Sequence, residues 1–243
     1  MPAVAVLGLG EAGGRLAADL AAAGAEVRGY DPARPGEATA EAAVAGADAV
    51  LSVNSASAAL AAAEAALPAL RPGALYADLN TAGPELKREL DALVSAAGGL
   101  FADVALLGPV PAHGLGTPAL ASGAGAAAFA DAFRPLGMPV EVVSAEPGDA
   151  ATMKLLRSVF MKGIAAAAIE SLEAAEAAGH AEWLRGELAA VLGEPLLERL
   201  LAGSRLHAER RVDEMEAACE LLRGLGVEPR VASASASLLD HLA

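Results

Sequence analysis

The chain reads as an α/β protein, with a doubly wound parallel sheet followed by a smaller all-α domain. Three observations predict this. Short apolar runs alternate with helical patterns as far as about residue 147. A glycine-rich turn separates the first apolar run from the first helical pattern. Beyond residue 147 the strand signals stop and Ala-rich helical patterns take over. We therefore place one domain over 1–147 and a second over 148–243. A length of 243 residues suits one large or two modest domains.

The elements follow in order. AVAVL (3–7) is a strand ending at Gly8, and a helical pattern runs from Glu11 to Ala23, closed by Gly24. AEVRGYD is a second strand ending at Asp31. DAVLSVN (48–54), GALYADLN (73–80) and GLFADVAL (99–106) are the third, fourth and fifth, with helical patterns between them. PVEVV (139–143) is the last. From Pro147 onward the chain is helical, with breaks expected at Gly179, at Gly193 and Pro195, at Gly203 and at Gly226.

Hydrophobic residues make up 55% of the chain but aromatics only 3%, so Ala, Leu and Val must build the core. The net charge of −14 repels nucleic acid and anionic membranes, which excludes both as expected partners. No apolar run reaches the ~20 residues of a membrane span, and the N-terminus lacks the basic start of a signal peptide. A cytoplasmic protein is the expectation. Cys219 is the single cysteine and falls on an apolar helical stripe with Met215 and Leu222, as an inert core thiol. Four scattered histidines have no ligand spacing, so no metal is expected.

VAVLGLGEAGG carries a full G-x-G-x-x-G pattern at Gly8, Gly10 and Gly13. Gly8 permits the tight turn, Gly10 lets backbone approach a pyrophosphate, and Gly13 lets the helix pack on the strand. The helix start, with Leu9, Glu11 and Ala12, then offers N–H groups to the phosphates. The pattern follows a strand and opens a helix, and a second strand ending in an acid comes after it. It therefore predicts a Rossmann-type domain binding a nicotinamide dinucleotide. Asp31 is placed to accept bonds from ribose hydroxyls and to repel a 2′-phosphate, which favours NAD. Arg34, just downstream, suits a 2′-phosphate instead, so NADP stays open. Asn54, at the third strand's end, is counted with the cofactor residues.

In this combination the chain resembles the β-hydroxyacid dehydrogenase superfamily of 3-hydroxyisobutyrate and 6-phosphogluconate dehydrogenases. It is most similar to a phosphogluconate-dehydrogenase-like group with its own helical C-terminal domain. VLGLGEAG matches the cofactor loop, and ADLNTAGP (77–84) the motif after the fourth strand. DVALLGPVPAHGLGTPALASG (103–123) is similar to the substrate loop, and GDAATMKLLRS to the catalytic helix. HAERRVDEMEAACELLRGLGV resembles part of the C-terminal domain. The resemblance implies Asn80 and Thr81 near the nicotinamide, and Lys154 as acid/base for hydride transfer on a small hydroxy acid. It implies Leu107, Gly108 and Pro109 as substrate-loop contacts, with Leu107 and Pro109 replacing a usual Ser and Gly. Ser158 stands where related enzymes have Asn.

On a helix, Lys154 shares a face with Arg157, Ser158 and Lys162. A free lysine titrates near ~10.4. Desolvation and the charges of Arg157 and Lys162 are expected to bring Lys154 toward a working base. Ser158 is expected to position the substrate oxygen or orient the ammonium. Arg157 and Lys162 are expected to hold a substrate carboxylate or phosphate. His207, Arg211 and Glu214 repeat at helical spacing and suit the far side of an interdomain cleft, or a solvated salt-bridged helix. An imine substrate on the same architecture and a non-catalytic dinucleotide-binding regulator are the competing readings. The Ala faces of the helical domain suit a homodimer.

Overall fold

A computed structural model describes residues 2–34 and 39–243. The elements run β1 (Ala3–Leu7), α1 (Glu11–Ala22), β2 (Glu26–Tyr30), α2 (Ala40–Val44), β3 (Ala49–Ser52), α3 (Ala59–Ala66), β4 (Leu75–Asp78) and α4 (Pro84–Ala96). They continue with β5 (Leu100–Leu106), α5 (Val110–His113), β6 (Ala119–Ser122), α6 (Ala126–Phe133), β7 (Val140–Val142) and α7 (Asp149–Ala177). Four helices close the chain: α8 (Ala181–Leu192), α9 (Glu194–Leu206), α10 (Ala208–Gly224) and α11 (Arg230–Leu242). Two compact units result, Met1–Lys154 and Leu155–Ala243, so the division falls inside α7 rather than at residue 147. The first turn of α7 bonds to strands β5 and β6, which is why the first unit reaches Lys154.

In the first unit the strands form one sheet in the order β2-β1-β3-β4-β5-β6-β7. The order reverses between β1 and β3, which opens a crevice at the carboxyl ends of those strands. Side chains alternate across β1. Val4 and Val6 pack with Leu16 and Leu20 of α1 and Phe129 and Phe133 of α6. Ala5 and Leu7 face the other way, into Val44, Ala63, Leu90 and Val94 of α2, α3 and α4. The sheet is therefore covered on both faces, as the continuous apolar strands require.

One strand departs from the sequence reading. Residues 119–122 fall in what reads as loop, yet they form β6, antiparallel to β5 and parallel to β7. The run ALAS is short and lacks the β-branched and aromatic residues that signal a strand. Its direction follows from the connection. Leu107 N–H donates to Pro118 O at 2.8 Å, so the chain folds back on itself without a full crossover.

The second unit packs Leu155 of α7 against Met215, Ala218, Cys219 and Leu221 of α10 and Ala232 and Leu239 of α11. Helix breaks at Gly179, Gly193 and Gly226 use left-handed φ values of 78°, 79° and 73°. The break expected at Gly203 lies instead at His207, and Gly203 sits inside α9. A Cβ there would stand 2.6 Å from Arg211 Nη2, so the missing side chain makes room for the guanidinium rather than ending the helix. Among the described residues no helix is long and apolar enough to cross a membrane.

Candidate active site

The glycine loop is built by close approach. Gly8 has φ +96°, and a Cβ on it would lie 2.3 Å from Val53 O. A Cβ on Gly13 would lie 1.9 Å from Gly8 O. Gly10 differs: no atom lies within 4 Å of a Cβ placed there. It precedes α1, whose start no side chain caps, so Glu11, Ala12 and Gly13 begin a helix with its N-terminal N–H groups uncommitted to a cap. Such a helix start suits a phosphate. Asp31, at the end of β2, accepts from Leu9 N–H at 2.8 Å and Ala33 N–H at 2.9 Å. These two bonds, from Ala33 first and then Leu9, hold its carboxyl below the usual range, and Arg34 adds to them. Arg34 donates to Leu9 O, so both charged residues brace the loop. A turn that admits no side chain at Gly8 or Gly13, an uncapped helix start and an acid at the second strand's end together fit a dinucleotide.

Level with the carboxyl ends of β3 and β4 lies a row of polar residues. In register, Ser52 of β3 pairs with Asp78 of β4, Asp78 with Asp103 of β5, and Asp103 with Ser122 of β6. All four are fully buried. Lys87 of α4, also fully buried, enters this row. Its ammonium pairs with Asp78 Oδ1 at 2.5 Å and Asp103 Oδ1 at 3.2 Å, and donates to the carbonyls of Asp78 and Asn80. Burial alone would push this ammonium down. The Asp78 and Asp103 carboxylates together outweigh it and hold it above the ordinary lysine range.

The row extends to the cofactor loop. Asn80 Nδ2 donates to Asp78 Oδ2 at 2.6 Å, to Asn54 Oδ1 at 2.9 Å and to Ser52 Oγ at 3.1 Å. Asn80 Oδ1 accepts from Asn54 N–H at 2.6 Å. Asn54 adjoins Val53, whose carbonyl approaches Gly8. At the other end, Ser122 Oγ accepts from Ala150 N–H at 3.0 Å and Asp103 Oδ2 from Ala151 N–H at 2.9 Å. Two residues remote in sequence thus cap α7, and an anion sits at its positive end. One turn further on, Lys154 donates from Nζ to Thr81 Oγ1 at 2.5 Å. Asn54, Asn80, Thr81 and Lys154 are therefore brought together with the glycine loop.

Leu107, Gly108 and Pro109, expected from the sequence as substrate contacts, lead from β5 into α5 and lie partly exposed or exposed. The loop is pinned to α1. Asp19 accepts from Leu115 N–H at 3.1 Å, and Arg15, paired with Asp19 at 2.9 Å, donates to Pro111 O at 3.0 Å.

The remaining predicted residues lie in the second unit. Ser158 is buried and donates to Glu214, and Lys162 Nζ reaches Ser158 Oγ at 3.3 Å and Glu214 at 2.8 Å. Burial pushes the Lys162 ammonium down, with Glu214 opposing and Arg211 and Arg157 adding to the fall. Lys162 thus has a carboxylate of its own, which answers the need for a counter-charge that sequence reasoning gave to a substrate. Arg211 donates to Ser204 Oγ at 2.8 Å and lies along Gly203. His207 forms the junction of α9 and α10, where its carbonyl accepts Arg211 N–H. Arg157 is exposed. Among the described residues no group of three or more His, Cys, Asp or Glu is placed to hold a metal.

Sequence reasoning missed Lys87, Asp78 and Asp103. A signal existed. The buried residues of α4 are Pro84, Lys87, Leu90 and Val94, so a lysine occupies an apolar stripe. Strands β3, β4 and β6 each end in a polar residue.

The comparisons agree with this geometry. Residues 3–137 match the family described as the NAD binding domain of 6-phosphogluconate dehydrogenase. Residues 175–242 match a domain of unknown function, DUF1932. A conserved protein of unknown function, MTH1747, reported as structurally similar to 3-hydroxyacid dehydrogenases, is 30% identical. That likeness covers 98% of this chain and 96% of the other, with a TM-score of 0.76. An uncharacterised 28.5 kDa protein of Methanothermus fervidus is 25% identical over 69% of this chain; the match spans 66% of the relative, just under two thirds of its length. The fold is shared with Mycobacterium tuberculosis 3-hydroxyisobutyrate dehydrogenase at 22% identity, over 99% of this chain and 93% of that one, with a TM-score of 0.83. The first unit is thus an NAD(P)-binding domain. The chain belongs to the 6-phosphogluconate dehydrogenase NAD-binding family, within the β-hydroxyacid dehydrogenase superfamily.

Proposed function

We propose that this protein is an NAD(P)-dependent oxidoreductase acting on a small hydroxy acid or related carbonyl compound, with Lys154 as the acid/base. The observation that carries the reading is the 2.5 Å bond from Lys154 Nζ to Thr81 Oγ1, beside a dinucleotide loop. When bound, the nicotinamide gives or takes a hydride. The chain's own residues supply the rest. The glycine loop and the start of α1 hold phosphate, and Asp31 favours NAD by accepting ribose hydroxyls. Thr81 fixes the direction of the Lys154 side chain. In the oxidising direction the neutral amine takes the proton from the alcohol oxygen as the carbonyl forms. In the reducing direction the ammonium returns a proton to that oxygen.

Leu107, Gly108 and Pro109 supply part of the substrate wall, and Leu107 in place of a hydroxyl lowers its affinity for a carboxylate. Arg157 is retained as the contact for an anionic substrate group. Ser158, Lys162, His207 and Arg211 support the helical unit around Glu214 and Ser204, with any substrate contact secondary to that. Two chains pair through the helical unit in this reading. Phe160, Trp183 and Val191 are 65%, 67% and 81% exposed, an apolar cost that a homodimer removes.

The test is a panel of hydroxy acids and of cyclic imines, offered with NAD(H) and NADP(H). Turnover of hydroxy acids supports the reading. Turnover of imines alone redirects it to imine reduction. Tight cofactor binding with no turnover anywhere contradicts it.

A further inference from the structure

We propose that Lys87 is a positioning residue for proton transfer, one buried ammonium that sets both partners of the Lys154–Thr81 pair. The proposal rests on the reading of Lys154 as acid/base. The bonds run along two arms. On the first, Lys87 Nζ donates to Asp78 O at 3.1 Å and Asn80 O at 2.9 Å. Those carbonyls belong to the chain that leads directly into Thr81. The amide of Asn80 is itself fixed by Asp78, Ser52 and Asn54, so the peptide before Thr81 is held on two sides. On the second arm, Lys87 pairs with Asp103 Oδ1, and Asp103 Oδ2 accepts from Ala151 N–H. Ala151 lies on α7, one turn before Lys154. Gly148, just before that turn, approaches Pro84 so closely that a Cβ would stand 2.8 Å from its ring. The two backbone segments that meet at Lys154 and Thr81 are therefore both referred to the same nitrogen.

The charge balance points the same way. One ammonium and two carboxylates leave a net −1, and that charge lies at the N-terminus of α7, where the helix dipole stabilises it. An apolar residue at position 87 would suit the stripe of Leu90 and Val94, and apolar replacements of buried ion pairs are often neutral for stability. What an apolar residue lacks is the donor to Asn80 O and the link to Asp103. Those are the two functions that reach Lys154 and Thr81.

The test uses two double variants that keep the net charge, Lys87→Met with Asp78→Asn and Lys87→Met with Asp103→Asn. The chain has three lysines, and Lys87 is buried. Acylation by acetic anhydride, read by peptide mass spectrometry, therefore compares Lys154 with Lys162 inside one molecule. We expect a folded double variant to label severalfold faster at Lys154 relative to Lys162. With an active substrate, its kcat falls about tenfold to a hundredfold while cofactor affinity holds. An unchanged Lys154-to-Lys162 ratio in a folded variant overturns the proposal, whatever happens to turnover. Failure of both variants to fold also overturns it, because Lys87 then serves the core itself. Absence of turnover in the wild type counts against the oxidoreductase reading alone, since the labelling ratio still decides the role of Lys87.

Discussion

Replacing Lys87 with methionine alone strands two carboxylates in a fully buried site. Lys87, Asp78 and Asp103 have side-chain exposures of 1%, 0% and 0%, so solvent cannot screen what remains. Removing one partner of a buried ion pair costs about 3–5 kcal/mol. A domain holds only about 5–15 kcal/mol in total. At about 2–4 °C per kcal/mol for a unit of this size, the melting point should fall by roughly 6–20 °C. The pH dependence is the sharper signature. In the wild type the Lys87 ammonium lies above the ordinary lysine range, so its contribution is full below ~10.4 and fades only at higher pH. In the variant, two carboxylate charges are buried without a partner, which costs more than burying their neutral acids. Their penalty is then absent at low pH and grows as pH rises. Urea unfolding followed by circular dichroism from about pH 4 to 8 should show a deficit that widens with pH. A loss under about 1 kcal/mol, or one independent of pH, would refute the reasoning, because it would mean the three groups are not one buried charge cluster.

Further outcomes follow from the geometry. Gly13→Ala sets a Cβ 1.9 Å from a backbone oxygen and should cost the free protein about 1–3 kcal/mol. Gly10→Ala, with open space around it, should leave stability within about 0.5 kcal/mol yet weaken cofactor binding in titration calorimetry. Asp31→Ala should weaken NAD by about tenfold and NADP less. In the wild type, the depressed carboxyl of Asp31 should keep the loop braced above ~3.9 and release it only as pH falls through its lower folded value. Equal losses for both cofactors would contradict that role. Trp183→Glu with Phe160→Glu should shift a dimer to monomer in sedimentation, with helicity unchanged.

The first unit was legible because its signals are local. Strand, glycine turn, helix and acid follow one another between Ala3 and Asp31, and Gly8 and Gly13 make the close approaches their spacing implies. β6 was not legible, because four small residues become a strand only through the partner strands beside them. Gly203 misled for a related reason, since the arginine that requires the glycine lies on the next helix. The polar row was hidden because its members come from three strand ends, β5 and a helix turn, and only register brings them into line. The helix that carries Lys154 was legible, and the resemblance to a catalytic motif is what motivates its proposed role. Its partner Thr81 was assigned to the nicotinamide region, and its bond to Lys154 depends on the loop after β4 meeting α7. Ser158 and Lys162 sit on the helical face expected of them, but Glu214 meets them there.

The most direct test of the central claim is single-turnover hydride transfer in Lys154→Ala, with NADH binding measured on the same preparation. The account predicts a loss of turnover of at least about a hundredfold, with cofactor affinity close to that of the wild type. Turnover that survives the substitution would contradict it, and so would a loss of cofactor binding in step with activity.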